Sequence, residues 1–369
     1  MFDRRELLIG ATAGIAQLGQ RVVPRITLPA LLSESRTPAL GGAVITSKGE
    51  PGVQVEGRRR SGQRVAVQRD DVWLIGSNTQ AMTALLYGRL AEFGKTRFGA
   101  KVADVFPDFT LDDGWRGVAL DELMAHVAGV SDAPFATPES LHKWLTDTRP
   151  LSVQRQAFAK AVLAAPPQGR RGDYAFSNAG YVVVGAAIER ASRLTWEACM
   201  SAELFSPLTL DSAGFGAPEG AEPWGHARLD ATHTIQVNPR AEADDPAVFG
   251  PASRVHLSLA DYAKFVRLFL TGGGDYVDPK TIAHLVTPIS GEAAGPALGW
   301  LVSPSRGWSN GPVLQATTSS GYWSADVQVG PARDLAVIAV SNAGGADFGG
   351  SAVQRLALSL IQSHVRLGG

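Results

Sequence analysis

Segments with strand patterns stand at both ends of this chain of 369 residues, and helical patterns fill the middle. Near the start, the runs "GGAVITS" and "GVQVEGR" are joined by the turn-forming "KGEPG". After residue 290 come "ALGWLVSP", "GPVLQATT", "YWSADVQVG" and "DLAVIAVSN", whose short connections favour antiparallel hairpins. One sheet built from both ends of the chain, with helices inserted between its parts, fits this order.

Apolar residues recur at helical spacing through the middle of the chain. The clearest helical segments are "LDELMAHVAGV", "YVVVGAAIERAS", "TWEACMSAELF" and "LADYAKFVRLFL", and "SAVQRLALSLIQSHV" follows the last strands. We predict an α/β fold, an antiparallel sheet flanked by helices plus an inserted all-helical lobe. In a domain of residues 31–369, the sheet lobe takes 40–76 and 290–369 and the helical lobe about 77–289. Ligands usually occupy the cleft between two such lobes.

Composition argues against several kinds of function. A net charge of −1 gives no overall field to attract nucleic acid. The single cysteine, Cys199, stands among apolar residues at helical spacing, which predicts a buried, unreactive thiol. Since no CxxC, HExxH or EF-hand pattern occurs, we expect no metal and no cofactor.

The first residues combine paired arginines with a short apolar stretch. Arg4-Arg5 precede residues 7–18, which are too few to span a bilayer but suit an export signal. Paired arginines in this position resemble a twin-arginine signal. We therefore expect residues 1–30 to be an export signal and linker of a periplasmic or otherwise exported protein. The alternative is an amphipathic first helix in a cytoplasmic protein. No other segment is apolar enough to span a membrane.

Five segments carry a family resemblance, and they occur in a fixed order. They are "IGSNTQAMTALLYGRLAEFGK", "LDELMAHVAGV", "YAFSNAGYVVVGAAIERAS", "PASRVHLSLADYAKFVRLFL" and "LGWLVSPSRGWSNGPVLQATTSSGYWSADVQVG". They resemble, in turn, the Ser-x-x-Lys motif, the "LLSHTSG" stretch, the Tyr-x-Asn motif, a late helix and the Lys-Thr-Gly or His-x-Gly strand of the serine β-lactamase and penicillin-binding-protein superfamily. The class C β-lactamase-like esterase and peptidase branch is the most similar.

The resemblance implies acyl transfer to a serine. In this family the serine attacks an amide or ester carbonyl, the lysine one turn later accepts its proton, and the tyrosine relays a proton to the leaving group. Ser77 stands at the serine position. The resemblance also implies that the backbone N–H groups of Ser77 and Ser319 would hold the oxyanion.

Three positions depart from the family pattern. Gln80 replaces the lysine, and an amide has no usable basicity. Phe176 replaces the tyrosine and lacks its hydroxyl, whereas Asn178 is retained and can hydrogen-bond a ligand amide. Ala316-Thr317-Thr318 replace Lys-Thr-Gly, so Thr318 stands where a glycine would let a ligand approach the backbone closely. A register shifted by one residue would place Gln315 there, which restores no base.

Ser77 and Gln80 also have a structural interpretation. Ser-x-x-Gln matches a capping box, in which the serine hydroxyl and the glutamine amide bond backbone N–H groups at the start of a helix. Such a cap stabilises a helix by about 0.5 to 2 kcal/mol. The first hypothesis is therefore that Ser77 caps a helix in a disabled site, and the second that it is a nucleophile served by another base.

Other residues could supply that base. Tyr174 could supply a displaced phenol, although its family position predicts core packing. His126, His226 and His256 lie in family-like segments, and we expect them to be structural. Lys95 follows the first long helix, and we expect it to be solvated.

Three functions follow, and none of them requires a cofactor. The first is a serine hydrolase homologue with impaired or lost acyl transfer that keeps a cleft for a small-molecule, peptide-like or ester-like ligand. The second is an esterase, D-amino-acid peptidase or β-lactamase-like enzyme acylated at Ser77 through a non-standard base. The third is a scaffold or partner-binding module. Losing parts of a nucleophile and base unit costs on the order of 10⁴ to 10⁶ in rate, which favours the first.

Overall fold

The computed structural model describes residues 27–230, 233–240 and 245–365. The predicted export signal therefore lies almost entirely outside the described residues. The strands are β1 Ala39–Ile45, β2 Gly52–Gly57, β3 Val72–Leu74, β4 Gly214–Phe215, β5 His226–Arg228, β6 Thr234–Gln236, β7 Val255–Ser258, β8 Gly295–Pro296, β9 Leu301–Ser303, β10 Val313–Ser319, β11 Ser324–Gly330 and β12 Leu335–Ser341.

The α-helices vary from one turn to four turns in length. They are α1 Leu28–Ser35, α2 Thr79–Glu92, α3 Val102–Val105, α4 Leu120–Met124, α5 Pro138–Thr146, α6 Leu151–Ala164, α7 Asn178–Ser192, α8 Trp196–Met200, α9 Gly250–Ser253, α10 Leu259–Thr271, α11 Pro279–Val286 and α12 Ser351–His364. A 3-10 turn over Gly76–Asn78 leads directly into α2.

The main sheet joins the two ends of the chain, as the order of strand patterns predicts. Its seven strands follow the order β2-β1-β12-β11-β10-β9-β8, and every neighbouring pair is antiparallel. α12 and α1 pack on one face, and α10 packs on the other. The predicted fold, an antiparallel sheet flanked by helices with an inserted helical lobe, is confirmed. Two smaller sheets accompany it, β3-β7-β4 and β5-β6.

The helical lobe is organised around α7. Every residue from Asn178 to Glu189 is buried, because α2, α4, α6, α8 and α9 surround this helix. A helix that is apolar on all sides is typical of a buried core position. Its N-terminus, which carries Asn178, is directed toward α2, which follows Ser77.

A buried ion network ties three helices of this lobe together. Arg155 on α6 is fully buried and donates to Glu189 on α7 at 2.8 Å and to Glu197 on α8 at 2.6 and 2.9 Å. Glu189 also accepts the backbone N–H of Trp196 at 3.0 Å. A buried charge is tolerated only when it is paired and hydrogen-bonded, as it is here.

One predicted helix is shorter than its apolar pattern indicates. The segment "LDELMAHVAGV" is α-helical only from Leu120 to Met124. His126 then adopts a left-handed backbone with φ of 60°, which ends the helix. The apolar residues that follow, Val127 and Val130, are buried in a non-helical loop, so their spacing does not reflect a helix.

Candidate active site

Ser77 lies at the centre of the 3-10 turn between β3 and α2, beside strand β10. It is preceded by Gly76, whose φ is 53° and where an added Cβ would lie 2.7 Å from Thr318 Oγ1. A glycine is favoured here because the backbone of residue 76 is left-handed and strand β10 approaches it closely. The Ser77 side chain is partly exposed, and no hydrogen bond to its hydroxyl is found within the part of the chain that the structure describes.

The predicted capping box is wrong. Neither the 3-10 turn nor α2 has a side-chain cap. The Gln80 amide faces away from the Ser77 N–H and bonds two side chains of the helical lobe. Because tertiary partners satisfy both ends of the amide, the local pattern Ser-x-x-Gln does not determine its geometry.

Gln80 forms a bridge between His126 and Asn178. Its Oε1 lies 3.0 Å from His126 Nε2, and its Nε2 donates to Asn178 Oδ1 at 3.1 Å. Gln80 is 3% exposed, so this bridge is buried. At the position of the family's lysine, the chain thus holds a neutral amide whose oxygen and nitrogen are both engaged.

His126 is held from several sides. Its Nδ1 accepts the backbone N–H of Ser177 at 3.1 Å. Three aromatic rings surround it, with centroid distances of 4.7 Å to Phe176, 5.4 Å to Tyr181 and 5.9 Å to Tyr174. Burial lowers the pKa of His126 to about 3. The imidazole is therefore neutral at ordinary pH, and its two ring nitrogens are engaged by Gln80 and by the Ser177 N–H.

Asp132 fixes the start of α7, and the sequence interpretation missed it. Its carboxylate accepts the Ser177 hydroxyl at 2.7 Å and the backbone N–H groups of Asn178 and Ala179, each at 2.8 Å. Burial raises the pKa of Asp132, and these donors oppose that shift. The contacts join residues 45 or more positions apart, so no local pattern predicts them. They hold the backbone of Asn178 beside Gln80.

The side chain of Thr318 engages the backbone N–H of Ser77. The Ser77 backbone N–H donates to Thr318 Oγ1 at 3.3 Å. In the family pattern this N–H would stabilise the developing oxyanion, and here a side chain takes its place. The contact places the Thr318 side chain against Ser77, at the position where the family pattern has a glycine.

The other third-motif residues point in different directions. Ala316 lies two residues from Thr318 and shares its face of β10, whereas Thr317 and Ser319 lie on the opposite face. The Thr317 hydroxyl donates to the buried Asp326, and the Ser319 hydroxyl lies 3.0 Å from that of Ser324. These hydroxyls therefore serve the sheet and do not face Ser77.

The alternative bases bond elsewhere. His226 accepts the N–H of Ser61 at 2.9 Å and lies 2.8 Å from a backbone carbonyl, and His256 lies 2.6 Å from the Gly216 carbonyl. Lys95 is exposed. Tyr174 is 50% exposed, so the expectation that it packs in the core is wrong.

Further expectations concern metals, membranes and the thiol. Cys199 is buried, and burial raises its pKa, as expected for an unreactive thiol. The described helices include none that is long and apolar enough to cross a bilayer. Within the same residues, no group of three or more potential ligand side chains is placed to hold a metal ion.

Comparison with known proteins places the chain in a family. The sequence model described as "Beta-lactamase" matches residues 27–360. The chain belongs to this family. It is 27% identical over 255 residues to a protein named "Penicillin-binding protein 4" from Amycolatopsis lactamdurans, across 66% of this chain and 62% of that protein. It is 24% identical over 266 residues to a "Beta-lactamase" from Escherichia coli (strain K12), across 71% of this chain and 64% of that protein.

Solved structures of β-lactamase-like proteins have the same fold. The octameric penicillin-binding protein homologue from Pyrococcus abyssi matches with a TM-score of 0.69 and 20% identity, over 91% of this chain and 77% of that one. A D-stereospecific amidohydrolase from Streptomyces sp. matches with a TM-score of 0.70 and 17% identity, over 93% and 98%. At these identities the likeness concerns the fold alone. This chain matches less than two thirds of the length of the two sequence relatives.

Proposed function

We propose that this β-lactamase family member is exported and binds a peptide-like or ester-like ligand in the cleft beside Ser77, with acyl transfer impaired or lost. The observation that carries the proposal is the pair of contacts around the serine. Gln80 bridges His126 and Asn178 where the family has its base, and Thr318 takes the N–H of Ser77. The amide of Gln80 cannot accept the serine proton and is engaged at both ends, and the Thr318 contact obstructs the oxyanion site.

The two losses act on different parts of the reaction. A positioned general base contributes about 10² to 10⁴ in rate. Removing one oxyanion donor costs about 10² to 10³. A ligand carbonyl bonded by the Thr318 hydroxyl is not bonded by the Ser77 N–H, because that N–H already donates to Thr318. An oxyanion formed on that carbonyl would therefore lack this donor.

We expect ligand binding to be retained although acyl transfer is impaired or lost. Asn178 is fixed by Asp132 through its backbone and by Gln80 through its side chain. Relatives and structural neighbours include penicillin-binding proteins and a D-stereospecific amidohydrolase, which supports a ligand with D-amino-acid character.

The experiment uses the full chain and N-acetyl-D-Ala-D-Ala methyl ester as the probe. Calorimetry measures binding, and chromatography follows ester hydrolysis over hours. We expect saturable binding and no hydrolysis above that of Ser77→Ala. Hydrolysis that Ser77→Ala abolishes would establish an active enzyme with an unorthodox base. If the probe is neither bound nor hydrolysed, the proposal is overturned in favour of a scaffold.

A second arm uses a fluorophosphonate probe and intact-protein mass spectrometry. We expect little or no adduct on Ser77 within minutes. Rapid stoichiometric labelling would contradict the disabled site. The double variant Gln80→Lys/Phe176→Tyr supplies the matched control, because it restores both family side chains and should label faster than the unmodified protein.

A further inference from the structure

We propose that His126 is a positioning residue that acts through Gln80: it fixes the Asn178 amide with its N–H groups outward, so that the site selects ligands by a hydrogen-bond acceptor. The inference rests on the proposed function only in assuming that a ligand enters the cleft. The orientation itself is a property of the unliganded protein.

The direction of the chain of hydrogen bonds is set by a backbone group. A backbone N–H can only donate, so the bond of 3.1 Å from Ser177 N makes His126 Nδ1 an acceptor. In a neutral imidazole the proton then resides on Nε2. The tautomer therefore follows from the main chain and needs no assumption about side-chain amides.

The tautomer of His126 fixes which group donates in the next two hydrogen bonds. His126 Nε2–H requires an acceptor, which is Gln80 Oε1 at 3.0 Å. The Gln80 amide nitrogen then faces Asn178 and donates to its Oδ1 at 3.1 Å. With Oδ1 engaged, Asn178 turns its Nδ2 to the other side.

That nitrogen is available to a ligand. Asn178 is 8% exposed, and within the described ranges its Nδ2 has no protein acceptor and is not a fully enclosed atom. Thr318 adds a second donor, since its oxygen accepts from Ser77 N–H and its hydroxyl donates to no acceptor among the described residues, so its proton can be given to a ligand. A carbonyl satisfies these donors, whereas a ligand that offers only N–H groups leaves them unpaired.

The backbone of His126 supports a specialised role. Its φ of 60° is a left-handed conformation, which is uncommon for residues other than glycine and costs free energy. The surrounding rings and the Ser177 contact hold it there. This conformation directs the imidazole at Gln80.

A variant that reverses the last hydrogen bond of this series, between residue 80 and Asn178, tests the inference. Gln80→Glu is nearly isosteric, and its carboxylate accepts from His126 as the amide does. It cannot donate to Asn178, so Asn178 must turn its Nδ2 inward and present Oδ1 to the cleft. The matched control is Gln54→Glu on the exposed strand β2, which makes the same change of charge away from the site.

Neutron diffraction of the perdeuterated, unliganded protein at pH 8 is the first readout. We expect deuterium on His126 Nε2 and none on Nδ1, Asn178 Nδ2 outward in the unmodified protein, and Asn178 reversed in Gln80→Glu. A deuteron on Nδ1, an outward Oδ1 in the unmodified protein, or an unchanged Asn178 in Gln80→Glu would each overturn the proposal. This readout contains no ligand, so it can fail while the proposed function stands.

NMR titration with N,N-dimethylacetamide, which offers an acceptor and no N–H, is the second readout. We expect Gln80→Glu to weaken its binding on the order of tenfold and Gln54→Glu to leave it unchanged. Equal weakening in both variants would assign the effect to charge and contradict the inference.

Discussion

The Thr318 hydroxyl accepts the backbone N–H of Ser77 at 3.3 Å, so strand β10 engages the donor that the proposed acyl transfer would need for its oxyanion. We predict that Thr318→Gly, made in the Gln80→Lys/Phe176→Tyr background, raises the rate of Ser77 acylation by about 10² to 10³, the value of one oxyanion donor. Intact-protein mass spectrometry with a fluorophosphonate probe measures this rate. Thr318→Val keeps the bulk and should show no gain. A folded Thr318→Gly protein with an unchanged rate would contradict this role of Thr318.

His126 should make the protein sensitive to acid. Its folded-state pKa is about 3, below the ordinary 6.5, so the folded state resists a proton that the unfolded chain accepts. Its contribution to stability is fully present above pH 6.5 and is lost as the pH falls toward 3. Between these two pH values, the free energy of unfolding falls by about 1.4 kcal/mol for each pH unit of acidification.

The variant His126→Asn isolates this contribution, because asparagine also tolerates a left-handed backbone. Burial lowers the pKa of His226 to about 4, so it adds a slope of the same sign that remains in the variant. Urea unfolding at pH 7.5, 6.0 and 5.0 gives the free energy of unfolding at each pH. Its decrease with acidification should correspond to about one fewer proton taken up on unfolding in His126→Asn. Identical slopes in both proteins would show that His126 is not protected from protonation.

The buried Arg155 network should be costly to break. Arg155→Met leaves Glu189 and Glu197 without their cation, and we predict a loss of about 3 to 5 kcal/mol in the free energy of unfolding. Lys160→Met on the exposed side of the same helix is the control, with an expected change within about 0.5 kcal/mol. A loss below about 1 kcal/mol for Arg155→Met would mean that the two glutamates find other partners.

Export is proposed from the sequence alone. We predict that residues 1–30, fused to a reporter, direct it to the periplasm, and that Arg4→Lys/Arg5→Lys retains the charge but abolishes export if the paired arginines are read as a twin-arginine signal. Cell fractionation measures the distribution. An unchanged periplasmic fraction in the double lysine variant would argue for a different route or an unspecific apolar signal.

The sequence predicts the fold better than it predicts the site. Strand-like apolar runs and the short turn-forming segments between them are local features of the sequence, and β1, β10, β11 and β12 lie where those runs indicate. The helix at Leu120–Met124 ends earlier than its pattern because His126 takes a left-handed conformation, which composition does not reveal.

The contacts of Gln80 could not be predicted from sequence for a physical reason. A side-chain amide bonds whichever groups the tertiary structure brings near it, and His126 and Asn178 are 46 and 98 residues away. The capping box considers only neighbours in the chain. Asp132 was missed on the same ground, since its three donors come from the start of a helix far along the sequence.

The Arg155 network has a consequence for recognition as well as for stability. It joins α6, α7 and α8, and α7 carries Asn178 at its tip. Because α7 is held in place by this network, Asn178 loses little conformational freedom when a ligand binds, and less of the contact energy is spent on ordering it. Loosening this distant brace would accordingly shorten the residence of a bound molecule, even though no member of the network touches it.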